Sequence, residues 1–255
     1  MSAMRLTILG AGTCRLSSIR GCSGYWLDAG GLRLRLDGGP GSLHAMARFG
    51  LPWETLTHQF VSHFHLDHIG ELPALLFAYR YGLTAPRSAP LDLLGPRGLR
   101  AFLDRAAALL EPKLLEQTFP VRVDEIDPGE ARVLSDDVVL RVWKTPHTDE
   151  SLAVRVECAG RVLGYTGDTA PSPELARFFL GVDVLIAECS FLERMDNARH
   201  LAADDVAALA HSAEARQLVA VHFYFDPDTE RLADRLAAGY DGLITIGHDG
   251  MTIDV

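Results

Sequence analysis

Apolar residues come in short bursts along the chain, set apart by glycines, prolines and charges, and most bursts are strand-sized. Residues 6–9 read as a strand ended by Gly10-Ala11-Gly12, and glycine and serine then dominate a loop up to Gly24. Residues 25–27 and 32–36 alternate around Ala29-Gly30-Gly31, which is a hairpin pattern. Asp37-Gly38-Gly39-Pro40-Gly41 makes a sharp loop, and Ser42 is placed to cap a helix running to about Phe49. A buried strand is predicted over 59–62, one helix over 69–81, a strand over 91–94 and a helix over 98–110. Beyond it, strands are predicted over 121–126 and 138–144, and a hairpin over 152–158 and 161–165 around Ala159-Gly160. Then come a helix (174–180), a strand (182–187), a helix (202–215), a strand (218–222), a helix (229–238) and closing strands at 243–246 and 251–255. Two β-rich halves of similar size, each with helices, predict an α/β fold of two sheets packed face to face with helices outside. No linker or low-complexity stretch divides them, so a single domain over residues 1–255 is expected.

Composition narrows the class. The 255 residues are enough to bury a core without covalent staples, and 48% of them are apolar, as in ordinary globular chains. With 24 Lys and Arg against 34 Asp and Glu, the net charge of −10 weakens unspecific attraction to nucleic acid. A small substrate is expected over a long polyanion. Cys14, Cys22, Cys158 and Cys189 form no C-x-x-C pair, which predicts reduced thiols and a cytoplasmic location. Neither a signal peptide nor an apolar stretch of membrane-spanning length is present in the sequence, so no membrane partner is expected.

The chemistry concentrates in Ser62-His63-Phe64-His65-Leu66-Asp67-His68, four metal-competent side chains within six positions, directly after an apolar strand. In extended chain, alternate residues share a side, so His63 and His65 can face one point while Asp67 and His68 face another as the chain turns into a helix. Imidazole and carboxylate suit zinc, and also manganese or iron. A solvated polar loop is the bland alternative, and this density makes it the poorer one. His147, Asp168 and His222 each follow a predicted strand, where loops gather into one site. Singly, each would more often be a surface or capping residue; together they complete two sets of ligands. His44, His58 and His211 read as surface residues, and the glycines at 10, 12, 21 and 24 fit turns and no phosphate loop.

The series His-x-His-x-Asp-His, a lone His, a lone Asp and a late His resembles the metallo-β-lactamase superfamily over nearly the whole chain. It is most similar to its ribonuclease Z-like phosphodiesterase branch. Supporting segments are Leu36-Asp37-Gly38-Gly39-Pro40-Gly41, Gly164-Tyr165-Thr166-Gly167-Asp168-Thr169 and Leu185-Ile186-Ala187-Glu188-Cys189-Ser190-Phe191. The resemblance implies an αββα sandwich of two mixed sheets with outer helices. It also implies two divalent ions, zinc first: one on His63, His65 and His147, the other on Asp67, His68 and His222, with Asp168 bridging. Asp67, Glu188 and His200 would form the catalytic set, with His200 protonating the leaving oxygen and Glu188 orienting it. Asp37 would orient a ligand histidine by a hydrogen bond. The alternative for His200 is a helix cap. Two metals can share one hydroxide, available near neutral pH, to attack a phosphodiester in line.

Transfer-RNA-processing members of the branch carry an arm between the third-motif His and the bridging Asp. Here only the 152–165 hairpin fits between His147 and Asp168. A small phosphodiester, of cyclic nucleotide or cyclic phosphate type, is therefore the expected substrate. A lactone, thioester or β-lactam hydrolase on the same metals is an alternative, set apart by the Glu188 and His200 pair. An RNA endonuclease is another, which a stripe of Arg15, Arg20, Arg194 and Arg199 around the site would support. The resemblance allows a homodimer.

Overall fold

The computed structural model describes residues 3–196, 199–226 and 229–255. The first half runs β1 (Met4–Gly10), β2 (Gly24–Ala29), β3 (Leu32–Leu36), α1 (Ser42–Arg48), β4 (His58–Phe60), α2 (Leu66–Ile69), α3 (Leu72–Tyr81), β5 (Leu91–Gly95), α4 (Leu99–Leu110) and β6 (Val121–Glu125). The second runs β7 (Ala131–Ser135), β8 (Val138–Lys144), β9 (Leu152–Cys158), β10 (Arg161–Tyr165), α5 (Pro173–Phe178), β11 (Val184–Glu188), α6 (Ala203–Ser212), β12 (Gln217–Val221), α7 (Thr229–Ala237), β13 (Leu243–Ile246) and β14 (Thr252–Asp254).

These strands form two seven-stranded sheets, ordered β14-β1-β2-β3-β4-β5-β6 and β13-β12-β11-β10-β9-β8-β7. Both are mixed. In the first, β3 through β6 are parallel and the β14, β1, β2 side is antiparallel. In the second, β10 through β13 are parallel and β7 through β10 antiparallel. The alternation of strand side chains explains the layering. Val184 and Ile186 of β11 join Leu6, Leu27, Leu36, Leu140 and Val154 in the core between the sheets. Leu185 and Ala187 point the other way, into a second core with Leu175, Val206 and Leu232 of the helices over that sheet. A third core packs Leu9, Trp26 and Leu93 of the first sheet under Leu75, Leu76 and Leu103. The expected αββα architecture follows from these three apolar layers.

Several local expectations are corrected. Ser42 does not cap α1; the cap is Gly41, at φ 99°, and the Ser42 hydroxyl donates to Glu71 Oε2 at 3.0 Å. The helix predicted over 69–81 begins only at Leu72, and a short separate helix, α2, stands before it, because Gly38 N–H donates to His68 O and Glu71 N–H to Gly38 O, so the Asp37 loop takes the backbone groups that would carry α2 into α3. Strand β7 was not anticipated, since it is a half-exposed edge strand with little apolar alternation. The chain end splits: β13 stays with the second sheet, while β14 crosses to pair with β1. His58 is buried at 7% exposure, with Nε2 3.6 Å from Asp92 Oδ2, and is no surface residue.

Candidate metal centre

The site lies where strands of both sheets end. After β4 the chain extends through Val61 and Ser62 to His63, and His65 stands at the N-terminus of α2, which carries Asp67 and His68. His147 comes three residues after β8, Asp168 three after β10, and His222 directly after β12. Asp37 and His222 take left-handed backbone, at φ 56° and 61°, a conformation costing a non-glycine residue about 1–2 kcal/mol. His222 is held there by its N–H, which donates to Ala11 O at 2.8 Å.

All seven ligand candidates converge. His63 Nε2 and His147 Nε2 each lie 3.1 Å from His65 Nδ1. His68 Nε2 lies 3.3 Å from His222 Nε2. Asp168 stands between the groups. Its Oδ1 is 3.2 Å from His68 Nε2 and 3.3 Å from His222 Nε2; its Oδ2 is 3.7 Å from His63 Nε2 and 3.6 Å from His147 Nε2. Asp67 Oδ2 faces His222 Nε2 at 3.6 Å. One set is thus His63, His65, His147 and Asp168, and another Asp67, His68 and His222, each with donor atoms within 4.8 Å of one another. All but His65 are buried.

The outer hydrogen bonds define which nitrogen of each ring faces inward. Ser62 Oγ donates to Asp37 Oδ2 at 2.7 Å, so toward His63 Nδ1 at 3.0 Å it accepts. Asp37 Oδ2 also accepts from His68 Nδ1 at 2.7 Å and from the Tyr165 hydroxyl at 2.6 Å. Ser190 Oγ donates to Glu188 Oε2 at 2.5 Å and accepts from His222 Nδ1 at 3.0 Å. His147 Nδ1 donates to Arg199 O at 3.0 Å. Four imidazoles therefore carry their proton on Nδ1 and turn the lone pair of Nε2 inward, as metal-bound histidines do.

This arrangement passes a test of fit for cations. Asp168 Oδ1 is buried and accepts no hydrogen bond, although two ring nitrogens lie within 3.3 Å. Lone pairs facing lone pairs repel unless a cation sits between them. Four donors about 2.0–2.1 Å from a tetrahedral zinc lie roughly 3.3 Å apart, close to the spacings observed. The carboxylates and the rings are also coupled through their charges. Burial alone would raise the pKa of Asp168, yet His222 and His68 hold it well below the carboxylate range. Burial likewise opposes charge on His68, yet Asp168 and Asp37 hold it well above the ordinary imidazole value, so a cation bound there would take the place of the proton on its Nε2. Burial lowers His63 and His147.

Glu188, the last residue of β11, and His200 meet beside this cluster. His200 Nδ1 lies 3.1 Å from Glu188 Oε2 and 3.8 Å from Asp168 Oδ2. Glu188 also accepts from Thr169 N–H, so it is fixed from three sides. Burial raises its pKa; for His200, burial pulls down but Glu188 pulls up further, and the net direction is up. His200 is two residues short of the α6 cap, which is Ala202, so it does not cap that helix.

Residues that sequence reasoning missed are Ser62, Ser190, Tyr165, Thr169 and the Arg199 carbonyl. Only adjacency to predicted ligands could have pointed to Ser62 and Thr169. Asp249 was missed too: it accepts from Ala11 N–H at 2.9 Å and Gly21 N–H at 2.7 Å, bracing the 11–21 loop, while neighbouring His248 is exposed. The four arginines are engaged with the protein: Arg15 with Tyr224 O, Arg20 with Asp226 and the Phe223 ring, Arg194 with Asp205, and Arg199 with His147 O. His44 and His211 are exposed. All four cysteines are free thiols. Among the described residues no helix is long and apolar enough to cross a membrane.

A two-sheet sandwich with a histidine and aspartate cluster at the strand ends defines a metal-dependent hydrolase. Residues 33–223 match the family described as the beta-lactamase superfamily domain, and the chain belongs to the metallo-β-lactamase superfamily. It is 27% identical to ribonuclease Z of Myxococcus xanthus over 312 aligned positions, covering 100% of this chain and 99% of that one. Among solved structures it is similar to the metallo-beta-lactamase fold protein YhfI from Bacillus subtilis, with a TM-score of 0.84, 22% identity and 99% of each chain covered. It is also similar to human tRNase Z, short form, with a TM-score of 0.79, 23% identity and 98% of each chain covered.

Proposed function

We propose that the protein is a phosphodiesterase for small phosphodiesters, working on two divalent ions, zinc first. His63, His65 and His147 would hold one ion, Asp67, His68 and His222 the other, and Asp168 would serve both. The observation that carries this reading is the two-faced approach of Asp168, with one oxygen to each histidine set, beside a His200 whose Nδ1 is locked on Glu188. Bound ions would supply Lewis acidity and a nucleophile at neutral pH.

The chain does the rest. Asp37, Ser62, Ser190 and the Arg199 carbonyl aim the ligand rings. Asp67 is aimed by the Cys14 N–H, which donates to its Oδ2 at 2.9 Å. Glu188 fixes His200 so that Nε2 can hand a proton to the departing oxygen. A departing alkoxide needs that proton; this general-acid step is worth about 10²–10⁴-fold in rate.

Three features support a small substrate. The β9–β10 hairpin turns at Ala159 and Gly160 with nothing inserted between His147 and Asp168. The four arginines near the site are engaged with the protein, and the net charge is −10. The alignment to the Myxococcus relative needs 312 positions for 255 residues, so that relative carries segments with no counterpart here. The second reading, an RNA endonuclease, is favoured by that same full-length likeness to a ribonuclease Z. The deciding experiment loads the protein with zinc and counts bound ions. It then compares bis(p-nitrophenyl) phosphate, a 3′-extended transfer RNA and a homoserine lactone, with His200→Ala alongside. About two ions per chain, diester cleavage ahead of the others, and a variant most impaired on poor leaving groups are expected. Preference for the RNA selects the second reading, and preference for the lactone with an indifferent variant overturns both.

A further inference from the structure

Beside His200 lies a group of rings that metal binding does not use. Tyr224 and Phe191 are stacked, with ring centroids 5.6 Å apart and planes 21° from parallel. Tyr224 meets His200 edge-on at 5.7 Å and His222 at 5.8 Å, and Phe191 meets His200 at 6.1 Å. Ordinary core packing is the bland account of such a cluster. The intervening residue argues against it. Phe223, at 4% exposure, points into the core over the second sheet, whereas Tyr224 and Phe191 are half-buried and belong to none of the three cores.

Both residues are also tied to the segments around them. The Tyr224 hydroxyl lies 3.3 Å from the exposed Cys14 thiol, and Cys14 is the residue whose N–H binds Asp67. The Tyr224 N–H donates to Ser190 O at 3.2 Å, and its carbonyl accepts from Arg15. Phe191 exchanges backbone hydrogen bonds with Leu201 and Ala203, immediately C-terminal to His200. The backbones that carry the two rings are thereby placed relative to His200, and a stacked ring pair on such a frame lowers the ordering cost of offering a flat surface on binding.

We propose that Phe191 and Tyr224 form an aromatic subsite that receives a flat ring borne by the leaving group, making aryl-type phosphodiesters the preferred substrate class. This rests on the phosphodiesterase reading, because the proton donor His200 marks the leaving-group side. Rings gain from offset or edge-to-face contact with other rings beyond simple area burial. A puckered ring of equal size gains only the burial.

Unreactive phosphonates separate binding from turnover. The zinc-loaded protein is titrated calorimetrically with phenylphosphonate, cyclohexylphosphonate and methylphosphonate, as wild type, Tyr224→Leu, Phe191→Leu and Tyr224→Phe. Phenylphosphonate is expected to bind wild type about tenfold more tightly than cyclohexylphosphonate. Each Leu variant is expected to reduce that preference to about twofold, Tyr224→Phe to keep it, and methylphosphonate to bind all four alike. Equal affinity of wild type for the phenyl and cyclohexyl ligands overturns the subsite without recourse to any variant. So does a preference that survives both Leu substitutions. If the phenyl preference holds but wild type cleaves no phosphodiester, the phosphodiesterase reading falls and the ring-binding surface stands.

Discussion

Ser190→Ala should weaken one metal and spare the other. The Ser190 hydroxyl accepts from His222 Nδ1 at 3.0 Å and donates to Glu188 Oε2. His222 is 1% exposed, so no solvent replaces the lost acceptor. An unsatisfied buried donor costs about 1–3 kcal/mol. If the ring instead moves its proton to Nε2, the inward lone pair is lost. Either way the penalty would fall on the ion that His222 would hold with Asp67 and His68, and amounts to roughly 5- to 150-fold in affinity at about 1.4 kcal/mol per tenfold. Loss of an outer hydrogen bond to a metal ligand typically costs about 10–100-fold, within the same range. The other set is oriented by Ser62 and the Arg199 carbonyl, neither of which touches Ser190. Competition against a chromogenic chelator, resolving two affinities, is the assay. Ser190→Thr, which keeps a hydroxyl, should restore the weak site, and melting of the metal-free variant checks that it folds. Equal weakening of both sites, or of neither, would refute the hydrogen-bond account of ligand orientation.

Chelation should lower the melting temperature as well as abolish turnover: an ion present at 1,000 times its Kd stabilises by about 4 kcal/mol, or roughly 10 °C here, and an unchanged melt would show that the ions do not brace the fold. Gly39→Ala should destabilise by about 1–3 kcal/mol or more in denaturant titration, because the added Cβ would sit 2.0 Å from Asp67 O, whereas Gly21→Ala, with nothing nearer than 3.6 Å, should be tolerated. His58 should make stability fall on acidification. Burial depresses its folded pKa against the pull of Asp92, so below about pH 6.5 the unfolded chain takes a proton that the folded chain resists. The stability of wild type relative to His58→Gln should shrink from pH 7 to pH 5, and a flat difference would contradict this.

Much of the cluster could be read from the chain because its candidate ligands are local or sit where strands end. His63, His65, Asp67 and His68 lie within six positions, and Asp168 and His222 follow strands whose apolar runs are unmistakable. The outer partners were not legible, for a physical reason. A serine has no role until it is known what faces it. Ser190 and His222 lie 32 residues apart and meet only because β11 and β12 pair in parallel, in a register that sets Glu188 opposite Val221. The crossing of β14 to β1 and the burial of His58 are likewise matters of which strands become neighbours. Periodicity within a segment does not encode that.

The division of ligands between the sheets carries a further consequence. Each set joins residues that follow β4 of the first sheet to residues that follow strands of the second: His63 and His65 with His147, and Asp67 and His68 with His222. Asp168, also from the second sheet, faces both sets. Neither half of the chain holds a complete set, so an intact site requires the two sheets to have docked first. The apolar layer between the sheets does that docking. A cavity in that layer should therefore weaken both metals together, in contrast to Ser190→Ala.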